Sequence, residues 1–165
     1  MFVGRHARNL DRKSRLALPA EYVNRLQPDD RDELYVTPGK NGCIWLVPKS
    51  YWDTEFERLA VECDFLIPDE FYHHCQLRPL DKAGRVLLDE DARPMAALAA
   101  PSADTTVAVM VCGSGRYLQV WKAAAYDGAA RTPAEFASSL PTRRGHAGTS
   151  NPASNSASNS GSKGE

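Results

Sequence analysis

The sequence predicts an α+β fold, mainly β, built from two copies of one unit. Three observations predict it. Residues 8–18, Arg8-Asn9-Leu10-Asp11-Arg12-Lys13-Ser14-Arg15-Leu16-Ala17-Leu18, recur as Arg78-Pro79-Leu80-Asp81-Lys82-Ala83-Gly84-Arg85-Val86-Leu87-Leu88, at a constant offset of 70. Two pairs of apolar runs, 34–38 with 43–47 and 107–112 with 117–121, each flank a glycine-containing turn and read as hairpins. Finally, Val120-Trp121-Lys122-Ala123-Ala124-Ala125-Tyr126-Asp127 echoes Leu46-Val47-Pro48-Lys49-Ser50-Tyr51-Trp52-Asp53 at an offset of 74, so the second copy has gained four residues. Self-similarity at a fixed spacing marks a repeated unit.

Each copy of the first stretch reads as strand, tight loop, strand. Leu10, Leu16 and Leu18 fall at even spacing and so share one face of an extended chain. Asp11 and Asp81 start the turn, because an aspartate carboxylate accepts the backbone N–H groups that follow it. Gly84 supplies a residue that tolerates positive φ, and Ser14 holds the matching position in the first copy. Arg15 and Arg85 emerge at the loop exit. Two readings stay open for this Asp-x-x-x-Arg pattern: a hairpin whose Asp and Arg simply pair, or a paired functional surface. The same two residues in both copies favour the surface.

Pro19 opens a helix over 19–26, where its missing N–H is harmless, with Tyr22, Val23 and Leu26 as the buried stripe. A polar connection, 27–33, leads to the first hairpin. Ser50 and Asp53 resemble a capping box, opening a helix whose Phe56, Leu59, Ala60 and Cys63 follow helical spacing. Pro68 closes the first half. In the second half, Asp89 reads as the N-cap of a helix over 90–100, which Pro94 delays or kinks. Thr132-Pro133-Ala134-Glu135 has the residues that start one last short helix. From Ala147 the chain is Ser, Asn, Gly and Ala-rich, too polar to offset its ordering entropy, and is expected to be disordered.

With 165 residues and a net charge of −1, nothing global points to nucleic acid or a membrane. Local charge does. Residues 1–16 hold Arg5, Arg8, Arg12, Lys13 and Arg15 against Asp11, a net of +4, while acids cluster at 29–33, 55–64 and 89–91. A basic loop region on an otherwise acidic body suits a polyanionic partner. Four cysteines in no compact pattern do not make a disulfide framework. The N-terminus lacks the apolar stretch of a signal peptide, and no run reaches the ~18 apolar residues of a membrane span. A reduced, cytoplasmic protein is expected.

Rival chemistries find little support. Cys63, His73, His74 and Cys75 lack the paired two-to-four-residue spacing of structural zinc sites, so no metal or other cofactor is expected. No nucleophile signature surrounds any Cys and no phosphate loop follows a strand, so catalysis is not expected either. Tyr51, Trp52, Trp121 and Tyr126 sit at matched positions after duplicated strands, which favours core packing over a ligand or base-stacking site.

Asn9-Leu10-Asp11-x-Lys13-x-Arg15-Leu16-x-Leu18-Pro19-x-x-Tyr22 resembles the first motif of the MraZ family, bacterial regulators of the division and cell-wall gene cluster. Phe71-Tyr72, then Leu80-Asp81-Lys82-Ala83-Gly84-Arg85-Val86-Leu87-Leu88, resembles the second, and Met1-Phe2-x-Gly4 is also typical. The resemblance spans roughly residues 1–130. Ser14 departs from it where glycine is usual, His74 where a small residue is, and Pro79 within the strand entering the second loop. The resemblance implies two tandem SpoVT-AbrB repeats, 1–67 and 68–138, then a disordered Ser/Asn/Gly-rich tail, 139–165. Swapped hairpins would intertwine into a pseudo-twofold barrel with peripheral helices. It further implies a nucleoid-associated homo-oligomer, ring-shaped, that binds operator repeats in double-stranded DNA. Arg15 and Arg85 would be the loop arginines facing DNA, with Arg5, Arg8, Arg12, Lys13 and Lys82 around them, and Asp11, Asp81, Ser14 and Gly84 shaping the loops. The alternative is an AbrB-like antitoxin or protein-interaction module, which usually carries one such unit and dimerises.

Overall fold

The computed structural model describes residues 1–56, 58 and 69–129. The expected helical residues Leu59, Ala60 and Cys63, the closing Pro68, the last helix at 132–135 and the tail all lie outside them.

The strands fall into two matching sets. In the first half these are β1 (Arg5–Asn9), β2 (Arg15–Ala17), β3 (Glu33–Gly39) and β4 (Cys43–Pro48), and in the second β5 (Gln76–Pro79), β6 (Arg85–Leu87), β7 (Ala108–Ser114) and β8 (Tyr117–Lys122). Six form one antiparallel sheet in the order β1-β7-β8-β4-β3-β5, while β2 and β6 make a separate ribbon. Exchanging β1 with β5, β3 with β7 and β4 with β8 reverses that order and leaves it unchanged. β1 therefore pairs with β7 of the other half (Arg5↔Cys112 to Asn9↔Ala108), and β5 with β3 (Glu33↔Pro79 to Val36↔Gln76). Only β4 and β8 meet at the middle (Trp45↔Gln119). The fold is mainly β, with short helices: α1 (Ala20–Val23), α2 (Lys49–Tyr51), α3 (Asp69–His73) and α4 (Ala123–Ala129).

Strand alternation gives the sheet two apolar faces. One carries Leu34, Val36, Ile44, Leu46, Val109, Val111, Leu118 and Val120, and packs with Leu10, Leu16, Leu18, Leu80, Val86 and Leu88 from the loop copies. The other carries Trp45, Val47, Cys112 and Trp121, with Trp52 and the half-buried Tyr35, Tyr51, Phe71 and Tyr126. Tyr35 stacks on Trp52 at 4.5 Å and Trp121 meets Tyr126 edge-on at 6.3 Å. The four aromatics named from the sequence are packing residues. β4, between both faces, is buried at all six positions.

Loops follow their turn residues. Asn41 and Gly42 both have positive φ between β3 and β4, as does Gly115 between β7 and β8. Pro79 sits on the edge strand β5, where a missing N–H is tolerated. The N-terminal residues press against β7: a Cβ on Gly113 would lie 2.4 Å from the Val3 nitrogen and 2.5 Å from the Phe2 carbonyl carbon. The Tyr22 hydroxyl holds the same segment, donating to the carbonyls of Gly4 (2.9 Å) and Val3 (3.0 Å).

Helical expectations needed correction in three places. The helix expected over 19–26 is only Ala20–Val23, continued by turn-like bonds to Leu26. Over 90–100 there is one 3₁₀ segment, Arg93–Ala96, ended by Ala97 at φ +50°, because Pro94 lacks an N–H for a longer ladder. Asp89 does cap the turn before it, its Oδ1 accepting the amides of Asp91 and Ala92. Ser50 is not an N-cap: its amide and hydroxyl both donate to the buried Asp30 carboxylate at 2.7 Å. Asp53 pairs instead with Lys49, and the chain continues as a π-helical segment, Trp52–Phe56.

Candidate nucleic-acid interface

The two Asp-x-x-x-Arg loops fold alike, bond for bond. Asp11 Oδ1 accepts the amides of Lys13 (2.8 Å) and Arg15 (2.9 Å), and Asp81 Oδ1 those of Ala83 (2.9 Å) and Arg85 (3.0 Å). The second oxygen takes the arginine Nε, at 2.8 Å from Arg15 and 2.7 Å from Arg85. A backbone bond from each aspartate amide to its arginine carbonyl closes the turn at 2.9 Å. Ser14 and Gly84 occupy the left-handed position in the two turns, at φ +59° and +69°. Ser14 thus adopts a conformation that a non-glycine residue reaches only with strain.

The β2–β6 ribbon sets the loops side by side. Its central pair, Leu16↔Val86, is fully buried. Reciprocal bonds lock it: the Leu18 amide donates to the Gly84 carbonyl and the Leu88 amide to the Ser14 carbonyl, both at 2.9 Å. Arg15 Nη1 lies 3.9 Å from Asp81, so one loop's arginine reaches the other loop's aspartate.

Desolvation, the largest single influence, raises the Asp11 carboxyl, but the Arg15 and Lys13 amides and the Arg15 guanidinium together outweigh it and hold it below the ordinary value of 3.8. Asp81 behaves likewise: desolvation is opposed by the Arg85 guanidinium and amide and by the Ala83 amide, with a net lowering. Both aspartates are anionic struts, and each fixes its arginine through Nε while leaving the terminal nitrogens directed elsewhere.

Around this pair, Arg12, Lys13 and Lys82 are exposed, and among the described residues their side chains have no bonding partner. Arg8 donates only to the neighbouring Ala7 carbonyl. Its counterpart Arg78 is occupied by Asp89 and by Gln76 Oε1. Arg5 does not join the loops. Paired opposite Cys112, it lies on the tryptophan-bearing face of the sheet, bonded to the Tyr126 hydroxyl (3.2 Å) and 5.8 Å from its ring centroid.

One residue at this surface escaped the sequence reading. Arg93 donates to Ser14 Oγ (2.8 Å) and to the Leu88 carbonyl (3.2 Å). It lines a cleft of about 260 Å³ together with Lys13, Asp89, Glu90 and Asp91. The available signal was its correspondence to Val23 at the offset of 70: a charge where the other copy has an apolar residue.

Among the described residues no group of three or more His, Cys, Asp or Glu could hold a metal ion. His73 and His74 are exposed. Burial of Cys43 and partial burial of Cys75 push their thiols up to about 12, which disfavours the nucleophilic thiolate. Among the same residues no helix is long and apolar enough to cross a membrane.

Residues 1–68 match the family described as "MraZ protein, putative antitoxin-like". A protein of Ralstonia pickettii is 32% identical over 148 residues, covering 86% of this chain and 94% of its own length. Proteins of Ralstonia nicotianae and Burkholderia cenocepacia are 31% and 28% identical over the same shares. All three are called "Transcriptional regulator MraZ". The chain belongs to the MraZ family. The Asp-x-x-x-Arg centres of both MraZ-like motifs, Asp11 to Arg15 and Asp81 to Arg85, form the paired loops.

Proposed function

We propose that this MraZ-family chain is a sequence-specific DNA-binding transcriptional regulator that contacts repeated operator boxes through its paired Asp-x-x-x-Arg loops. The observation that supports this best is the matched geometry of the two loops: each arginine is braced by an aspartate through Nε and the two lie on one ribbon whose central pair, Leu16 and Val86, is buried. Braced in that way, a guanidinium keeps its outer edge for a bidentate contact with guanine O6 and N7, worth roughly 1–3 kcal/mol of discrimination. Arg12, Lys13, Lys82 and Arg8 would neutralise phosphates, giving affinity that falls with salt. The names of the relatives point the same way.

On this reading the chain is two tandem SpoVT-AbrB repeats, 1–67 and 68–138, whose swapped hairpins close a pseudo-twofold barrel. Single chains offer few phosphate contacts, so a homo-oligomeric ring would set several loops on successive boxes and multiply affinity through effective concentration. A cytoplasmic, nucleoid-associated protein follows, with no enzymatic role.

Binding to a labelled fragment from upstream of its own gene tests this. Across a salt series, saturable binding to that fragment over a scrambled one, lost in Arg15→Ala or in Arg85→Ala, is expected. Equal weak binding of both fragments by wild type and variants would make the loops structural hairpins. The second reading, an antitoxin-like or protein-interaction module, draws on the family's own description. Gel filtration separates the two, since a dimer's mass favours the module and several times the monomer's favours the ring.

A further inference from the structure

Positions 14 and 93 are where the two copies part. At the offset of 70, Ser14 corresponds to Gly84 and Arg93 to Val23, and the fold sets Ser14 against Arg93 and Gly84 against Val23, each across the copies. In the second loop a Cβ on Gly84 would lie 2.9 Å from Val23 Cγ2, so that turn is shaped by glycine lying on an apolar side chain. Its first-loop counterpart has a Cβ, yet keeps the same left-handed backbone and is buried. Where valine would stand, Arg93 gives its Nη1 to the serine hydroxyl and to the Leu88 carbonyl. A buried hydroxyl without that donor would be left poorly satisfied, on a backbone already strained.

We propose that Arg93 is a positioning residue for the first loop. Reaching over from the second copy, it holds Ser14 in the left-handed turn and thereby fixes the directions of Lys13 and Arg15 on either side. The two loops then present similar backbones by different means: one is held by a charged hydrogen bond and the other by packing. The functional part of this inference rests on the reading that the loops bind DNA, whereas the structural part does not.

The test compares wild type, Arg93→Val and the double variant Ser14→Gly/Arg93→Val, which gives the first loop the glycine and the valine that shape the second. Amide exchange is followed at residues 11–15 and 81–85, and affinity for the upstream fragment is followed across salt. Arg93→Val should speed exchange about tenfold in 11–15 and leave 81–85 unchanged, the ratio of one lost charge-assisted hydrogen bond. Its affinity should fall by a similar factor. The double variant should recover both. Unchanged exchange, or equal acceleration in both loops, overturns the proposal. Affinity that stays low in the double variant, with a shallower salt dependence, also overturns it, by making Arg93 a phosphate contact in its own right. Should Arg93→Val fail to fold, Ser14→Ala removes the acceptor while keeping the arginine, and the same loop-specific loosening is expected. If wild type prefers neither fragment, the DNA reading fails, and the exchange data still decide the role of Arg93.

Discussion

Asp11 and Asp81 act within their loops as anions, and acid should undo that. Their folded-state pKa values lie below the ordinary 3.8, so the stabilisation they give is complete above that value and disappears as pH falls through the lowered one. Carboxyl NMR titration should place both midpoints below 3.8, and a midpoint at or above it for either would contradict the bracing geometry. Asp11→Asn should release Arg15 Nε and leave Arg85 untouched. The arginines outside the loops divide differently. Among the described residues Arg8 has no carboxylate partner, while Arg78 is held by Asp89 and Gln76. Arg8→Ala should therefore leave the melting temperature nearly unchanged and, on the DNA reading, reduce the salt slope by about 1. Arg78→Ala should instead destabilise the fold by about 1–2 kcal/mol, through lost charged hydrogen bonds, without altering the slope. The reverse pattern, read by calorimetry and binding together, would mean that the acid at 89 does not decide which arginine is available.

At the scale of elements, the N-terminal segment depends on the absence of one side chain. Gly113→Ala would push a Cβ into the backbone of Phe2 and Val3, at 2.4–2.5 Å, and backbone cannot rotate away as a flexible side chain does. Residues 1–4 should detach from β7, with a loss of about 1–3 kcal/mol and faster amide exchange at Phe2, whose N–H bonds Gly115. A variant as stable as wild type would show that the segment docks loosely. The same scale shows where local sequence pattern suffices. Both hairpins were legible, because Asn41-Gly42 and Gly115 announce their turns and the flanking strands are apolar. Leu10, Leu16 and Leu18 were legible as core through their even spacing. Short helices were less so. The cap at Asp89 was real but Pro94 limited the helix expected over 90–100 to one 3₁₀ segment, and Ser50 had the type of a cap yet found a stronger acceptor in Asp30, twenty residues back. A side chain that can bond locally or at a distance does not reveal its choice in sequence.

At the scale of the whole chain, the family resemblance implied swapped hairpins, but no local pattern says which strand pairs with which. The likeness of residues 8–18 to 78–88 was plain, but nothing local says that β1 should pair with β7, or β5 with β3. Such pairings are fixed only when the complete apolar face assembles. Arg93 was hidden for the same reason, since its partner Ser14 lies 79 residues away. This exchange makes a prediction about the first half alone. In residues 1–67, β1 would lose β7, the β3 edge would lose β5, the β4 edge would lose β8, and β2 would lose β6 with the burial of Leu16. Unpaired edges over an exposed apolar face are an association hazard. The isolated fragment should therefore be unfolded as a monomer, or should dimerise by letting a second copy supply the missing strands in the places of β5 to β8. Circular dichroism with sedimentation at several concentrations would distinguish these from the alternative. A folded, concentration-independent monomer would mean that the first half carries a core of its own, and that the pairing between halves is an embellishment rather than the basis of the fold.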